Sequence, residues 1–378
     1  MAQSPLTDEF NEWVRQKLEE WKVPGMSLAI IDGDDIYTQG YGHATLPGVE
    51  ATPQTLYCTA STTKAMVAAT LAHMIDSKQY PELADGWDTK IASLIRDDFV
   101  LQDEWATNHL TLEDAVCHRT GMGRKDVALA HIIDGRVATP RDAVRNLRNL
   151  PMISEPRSSY SYSNIMYVVL GHVIETVSGK SLRDLMKEVI WDPLGMKSTY
   201  LSLEDVEAAP EHFATGYYWD KTDEGFKPVP PMHIDEDAAP GGVISTVADY
   251  ARWVKCLIDE SAPFSSDVHK DIRKPRIMES TEPSGGADIG LYGLGWTRKT
   301  YKGHVMYRHS GGMNAFGAQV YWFPNAKFGT VAFANTALTS NAVEDIALYR
   351  LIDEKLGIPE SERFDFAKRY AENSSQVV

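Results

Sequence analysis

Cysteine is scarce in this chain: three residues in 378, at Cys58, Cys117 and Cys256. An odd, scattered set with no C-x-x-C excludes a disulfide framework and a cysteine zinc site. Each reads as a small core residue. Basic charge is also short, with 37 Lys and Arg against 53 Asp and Glu and a formal charge of −16. That sign argues against nucleic acid and membrane as partners, because phosphate backbones and anionic lipids require basic patches. No charge-free run reaches the ~20 residues that cross a bilayer. The stretch from Met1 to Phe10 lacks the basic start and apolar run of a secretory signal. A soluble, cytoplasmic protein is the expectation. No H-E-x-x-H or comparable ligand cluster occurs, so no metal and no other cofactor is expected. Internal repeats and low-complexity segments are missing as well.

What is there is ordinary globular composition, 43% hydrophobic and 24% charged, enough for a large core. The chain is organised around the stretch from Cys58 to Met74. It reads as a helix starting near Ser61, with no formal charge from Ala65 to Met74. A helix that is apolar all round is a buried one. Lys64 therefore stands at the head of a core helix, with no acid at helical spacing. Residues three apart share a helix face, so Lys64 reaches the Ser61 hydroxyl. Burial and the positive end of the helix dipole both disfavour the ammonium. A free amine beside a serine can act as its general base. Chance alone supplies about one Ser-x-x-Lys in a chain of this size, so two further segments carry weight.

The first is Tyr162-Ser163-Asn164, directly before an apolar helix over 165–177. An ammonium beside Tyr162 would lower its pKa, and a phenolate could then move a serine proton to a leaving group. Asn164 offers an amide donor and acceptor to Lys64 or substrate. The second is Arg308-His309-Ser310-Gly311-Gly312, at the end of a strand pattern. Glycines there let a ligand lie against the backbone, and an N–H from this strand with that of Ser61 could form an oxyanion hole. Taken singly, the first reads as readily as a turn with core tyrosines, and the second as a hairpin turn with a surface histidine. Gly25-Met26-Ser27-Leu28-Ala29 falls short of G-x-S-x-G at its last position and sits at a strand start, not at an elbow.

The rest of the chain frames these motifs. Residues 7–21 have helical spacing, and an Asp-Gly turn joins strand-like runs at 26–31 and 36–42. Helical patterns and loops fill 77–240. A helix follows Gly241-Gly242 and runs through Trp253 to Leu257. From about 291 the period changes to strands at 303–308, 315–323 and 329–335, with Ser310-Gly311-Gly312 and Pro324-Asn325-Ala326-Lys327 as turns. A last helix covers about 339–356. Strands at both ends and helices between predict an α/β (α+β) fold. A mostly antiparallel sheet from 1–76 and 241–378 is covered by helices, and a mainly helical domain, 77–240, is inserted. The cleft between them would hold the site. Tyr217-Tyr218-Trp219 and the prolines at 228–240 are read as a wall for a bulky apolar acyl chain.

The ordered set Ser61-x-x-Lys64, Tyr162-x-Asn164, His309-x-Gly311 resembles the serine β-lactamase and penicillin-binding-protein superfamily. Its middle element is similar to that of class C β-lactamases, D-Ala-D-Ala carboxypeptidases, D-aminopeptidases, β-lactamase-fold esterases and the fungal acyltransferase of lovastatin assembly. Val23-Pro24-Gly25-Met26-Ser27, His118-Arg119-Thr120-Gly121, the run at 241–249 and Tyr292-Gly293-Leu294-Gly295-Trp296 resemble family segments in the same order. The resemblance implies Ser61 as nucleophile, Lys64 as its base or proton partner and Tyr162 as second acid/base. It implies Asn164 as an orienting residue, an oxyanion hole from the N–H groups of Ser61 and Gly312, and no metal. Two positions depart from the pattern. His309 stands where β-lactamases usually carry Lys, which removes a cation that holds the β-lactam carboxylate. Arg119-Thr120 replaces Thr-Ser. The expectation is a serine hydrolase that takes a small-molecule acyl donor and cleaves its ester or amide through an acyl-Ser61 intermediate. The alternatives are transfer to an alcohol or amine acceptor in small-molecule biosynthesis, and an inactive binding module.

Overall fold

The apolar run after Pro24 forms β1 (Gly25–Asp32), and the Asp32-Gly33 turn leads into β2 (Asp35–Thr45). Gly33 has φ +60° at that turn, where a residue without Cβ is unstrained. A short β3 (Val49–Glu50) follows at the sheet edge. The other six strands come from the far end of the chain: β4 (Ile277–Ser280), β5 (Gly290–Tyr292), β6 (Thr297–Tyr301), β7 (His304–Met313), β8 (Phe316–Phe323) and β9 (Phe328–Ala334). Together they make one nine-stranded antiparallel sheet in the order β4-β5-β6-β7-β8-β9-β1-β2-β3. The two chain ends meet where β1 pairs with β9, Met26 opposite Ala334. The structure, a computed structural model, describes residues 4–129, 132–232 and 238–374.

Residues of β8, β9 and β1 are buried on both faces, which reads in sequence as continuous apolar runs rather than alternation. One face carries α1 (Asp8–Glu20) with α6 (Ser340–Leu356). The other carries α2 (Thr63–Ser77) and α5 (Val247–Asp259). α2 is the charge-free helix, and Thr63 to Ala72 are all buried. Each large side chain such as Met66, Val67 or Leu71 contributes about 1.5–3 kcal/mol by leaving water. Between 77 and 240 the elements are mostly helices, including α3 (Leu112–Val116) and α4 (Asn164–Ser178), with two small hairpins. A last helix, α7 (Phe366–Ser374), which the polar tail does not announce, stacks Phe366 on Tyr349 with ring centroids 4.0 Å apart.

One turn assignment is corrected. Ser310, Gly311 and Gly312 belong to β7, paired with Gln319, Ala318 and Gly317 of β8. The reversal falls at Asn314, whose φ is +48°. The glycines signal a close approach of two backbones rather than a bend. A Cβ on Gly311 would lie 2.4 Å from the Thr59 carbonyl oxygen.

Candidate active site

Ser61 lies in a single 3-10 turn, Ala60–Thr62, that leads into α2. Ala60 has φ +47°, a left-handed conformation costing an alanine on the order of 1–2 kcal/mol. Such strain persists only where neighbours impose it, and they do. Thr59 N–H donates to the Val243 carbonyl at 2.9 Å, Val243 N–H to Thr63 Oγ1 at 3.0 Å, and the Tyr250 hydroxyl to the Thr62 carbonyl at 3.1 Å.

Lys64 is fully buried, as its helix requires. Its Nζ donates to Ser61 Oγ at 3.2 Å and to the Pro240 carbonyl at 2.7 Å. The same nitrogen stands 4.8 Å from the centre of the Tyr162 ring and 5.3 Å from that of Tyr167. The Tyr162 side chain lies beside Ser61 on the wall of the same cavity. Lys64 and Tyr162, about a hundred residues apart, thus meet beside Ser61. The expected lowering of the Tyr162 pKa is not what the site produces. Burial pushes the hydroxyl up and outweighs the lowering by Ser61 and by the charge of Arg124, so Tyr162 rests as a phenol.

Asn164 opens α4 next to this tyrosine. Its Nδ2 donates to Asp126 Oδ1 at 2.9 Å, and its Oδ1, buried at the cavity wall, has no hydrogen-bond partner among the described residues. Asp126 in turn accepts from Arg124 Nε at 2.7 Å, and the Arg124 guanidinium lies 5.5 Å from the Tyr162 ring.

His309, Gly311 and Gly312 form the opposite wall on β7. β6 pairs with β7 only as far as Arg308, so the edge beyond it is open toward Ser61. His309 Nδ1–H donates to the Ser310 carbonyl at 2.7 Å, which leaves Nε2 to accept from the Tyr292 hydroxyl at 3.1 Å. Burial, then the charge of Lys64, brings its pKa down to about 3. The imidazole is neutral and both ring nitrogens are occupied, so it does not replace the cation a lysine would supply.

Two cavities meet at Ser61. One, of about 370 Å³, is lined by Tyr160, Tyr162, Glu279, Tyr292, His309 and Asn341. The other, of about 210 Å³, is lined by Leu129, Met232, Pro240, Gly241, Met313 and Asn164. Tyr217–Trp219 border neither. Trp219 lines a separate groove beside α1, and the Tyr217 hydroxyl accepts from Leu46 N–H. Of the proline stretch, Pro240 holds Lys64 through its carbonyl, while residues 233–237 lie outside the described residues. Ser27 is buried and donates to the Thr52 carbonyl at 2.8 Å, away from the cleft. Burial raises the thiols of Cys58 and Cys117 to about 12, which leaves them inert packing groups.

Sequence reasoning gave no role to His118 or Tyr292, although both lie in segments quoted for the family resemblance. His118 is fully buried, its ring centroid 4.4 Å from that of Tyr162 and 5.0 Å from that of Tyr292. Arg119 explains the departure beside it. Its Nε meets Asp114 Oδ1 and its Nη2 meets Glu113 Oε2, both at 2.6 Å, which anchors the loop to α3.

Ser61, Lys64 and Tyr162 thus stand together in a cleft beside an open strand edge. The β-lactamase family profile matches residues 10–354. The chain belongs to the β-lactamase family. It is 40% identical to the unguisins hydrolase ungD' of Aspergillus campestris over 99% of this chain and 70% of that protein. It is 28% identical to a D-aminopeptidase of Brucella anthropi over 93% of this chain and 63% of that one. The penicillin-binding protein homologue from Pyrococcus abyssi superposes with a TM-score of 0.78 at 25% identity, covering 92% of this chain and 78% of that one. This member of the family is therefore a serine hydrolase with the β-lactamase fold. Among the described residues no helix is long and apolar enough to cross a membrane.

Proposed function

We propose that this enzyme hydrolyses an amide or ester bond of a small molecule through an acyl-Ser61 intermediate. The observation that carries the reading is the 3.2 Å contact of Lys64 Nζ with Ser61 Oγ. Lys64, once it has given up its own proton, takes the Ser61 proton while Oγ attacks the carbonyl carbon. The N–H groups of Ser61 and Gly312 hold the oxyanion. Tyr162, a phenol in the resting enzyme, donates its proton to the departing nitrogen or oxygen and is reprotonated from Lys64. Water then enters by the reverse path and frees the acid. Asn164 orients the substrate through its unpaired Oδ1, and His309 with Gly311 shapes the strand edge against which the substrate lies. The names of the relatives, an unguisins hydrolase and a D-aminopeptidase, favour an amide as the bond and water as the acceptor. They make unguisins and D-amino-acid amides the first substrates to try. The neutral His309 disfavours a β-lactam held by its carboxylate.

The test is intact-protein mass after brief exposure to a D-amino-acid amide, an unguisin, a p-nitrophenyl ester, an acyl thioester and a penicillin. Wild type should gain the acyl mass with at least one of the first three, and Ser61→Ala with none. Turnover that survives Ser61→Ala unchanged would overturn the serine mechanism. Product shifted from the acid to an ester or amide on adding an alcohol or amine would replace hydrolysis by transfer.

A further inference from the structure

Both backbone amides that flank Tyr162 are held by one residue. Ser161 N–H donates to the His118 carbonyl at 2.8 Å, and Ser163 N–H donates to His118 Nδ1 at 3.1 Å. The two rings lie 4.4 Å apart at 35° between their planes. Because Nδ1 accepts from a backbone N–H, the ring hydrogen is on Nε2. That Nε2 is buried and has no hydrogen-bond partner among the described residues. An unpaired buried N–H is costly, and a phenyl ring would fill the space without it. What histidine supplies here, and phenylalanine does not, is the acceptor at Nδ1.

We infer that His118 is the positioning residue of the proton-transfer tyrosine, gripping the amides on either side of Tyr162 so that its hydroxyl meets Ser61. The inference rests on the role proposed above for Tyr162. The backbone supports it. His118 has φ +61°, a conformation in which histidine, asparagine and aspartate are enriched among residues with a side chain. It turns the carbonyl and the ring of one residue toward the same segment. The surroundings keep Nδ1 an acceptor. The rings packed on His118 are those of Tyr160, Tyr162, Tyr167 and Tyr292, none an acid at neutral pH. Burial first, then the charge of Lys64, holds its pKa well below the ordinary value.

Three variants separate acceptor from ring. His118→Phe keeps a ring and loses the acceptor. His118→Asn places an amide oxygen where Nδ1 stood and tolerates the positive φ. Tyr162→Phe removes the phenol. Each is melted and assayed on whichever amide or ester the wild type turns over. A loosened Tyr162 should cost His118→Phe about 100-fold in kcat, since misplacement by an ångström has that effect, with KM nearly unchanged. His118→Asn should recover most of that loss. In the Tyr162→Phe background, His118→Phe should cost no more than about twofold further, because the two changes act through one group. Full kcat in His118→Phe, or losses that multiply in the double variant, would overturn the inference. So would a folded His118→Asn no better than Tyr162→Phe, and that comparison decides the matter if His118→Phe does not fold. Wild-type turnover in Tyr162→Phe would instead remove the role proposed for the tyrosine itself.

Discussion

The two walls of the cleft are built by different means. The wall carrying Tyr160 and Tyr162 is a loop running into Asn164 at the start of α4, and much of what fixes it is side chains. Asp114 is central to it. Fully buried, it accepts from Arg119 Nε at 2.6 Å, Arg157 Nη2 at 2.8 Å and Thr111 N–H at 3.0 Å. Arg119 follows His118, and Arg157 precedes the Tyr160 segment. The wall carrying His309, Gly311 and Gly312 is a strand, fixed by backbone register to β8 and by the approach of β7 to the Thr59-Ala60 turn. A side-chain wall should yield to changes of charge and pH. A backbone wall should yield to added volume.

The change that removes what both walls serve has the largest effect. Ser61→Ala should lower kcat on the order of 10⁴-fold or more while the melting temperature stays near that of wild type. Steady-state kinetics with a matched melt checks both. Next comes Gly311→Ala on the strand wall. Its Cβ would sit 2.4 Å from the Thr59 carbonyl oxygen and 3.1 Å from the Ala60 Cβ. One backbone must move, and the one that moves carries Ser61. A loss of about 2 kcal/mol in stability and about 100-fold in kcat is expected from denaturation and assay. Unchanged kcat would mean that the strand does not set the position of Ser61.

The loop wall is tested by Asp114→Asn. Burial alone would push the Asp114 carboxyl up, but bonds from Arg157, Arg119 and Thr111 outweigh it and hold it below the usual carboxylate range. A depressed folded pKa adds stability that is present above the unfolded value of about 3.9 and lost as pH falls through the folded one. At neutral pH, Asp114→Asn leaves two arginines short of a buried partner and should cost about 3 kcal/mol. In acid the wild type loses the same contribution, so the gap between the two melting curves should close below the carboxylate range. A gap that stays constant would show that the carboxylate charge does not hold the loop.

The same contrast explains what the sequence discloses. Backbone-built features leave periodic or glycine signals. The Asp-Gly hairpin, the charge-free helix after Ser61 and the strands of the last third were all legible. The Ser310-Gly311-Gly312 signal was visible too, although it marks a close approach rather than a turn. Ser61 and Lys64 are legible because three residues on a helix fix their relation. Tyr162 and His309 come near them only through tertiary folding, across about a hundred residues or more each, which spacing cannot state. The family resemblance supplied that link. The direction of the Tyr162 shift was missed because burial is a property of the assembled tyrosine cluster. Tyr217–Trp219 failed as a pocket wall because composition cannot tell one groove from another. His118 went unassigned because a histidine before a turn looks the same whether it faces solvent or packs among buried tyrosines.

The smallest expected effect is the sharpest discriminator. Gly312 is one residue from Gly311 on the same strand, yet a Cβ there would meet only Asn341 Oδ1, at 3.6 Å, an ordinary contact. Gly312→Ala should leave stability within about 0.5 kcal/mol of wild type. Its methyl group would instead narrow the cleft at the strand edge. Since the N–H of Gly312 remains, oxyanion support should survive and the loss should fall mainly on KM, by a few-fold. Paired with Gly311→Ala, it separates two meanings of glycine in one motif: one lets two backbones touch, the other leaves room for substrate. Equal losses of stability in the two variants would erase that distinction. A kcat loss in Gly312→Ala as large as in Gly311→Ala would place the whole strand, rather than its inner edge alone, in control of Ser61.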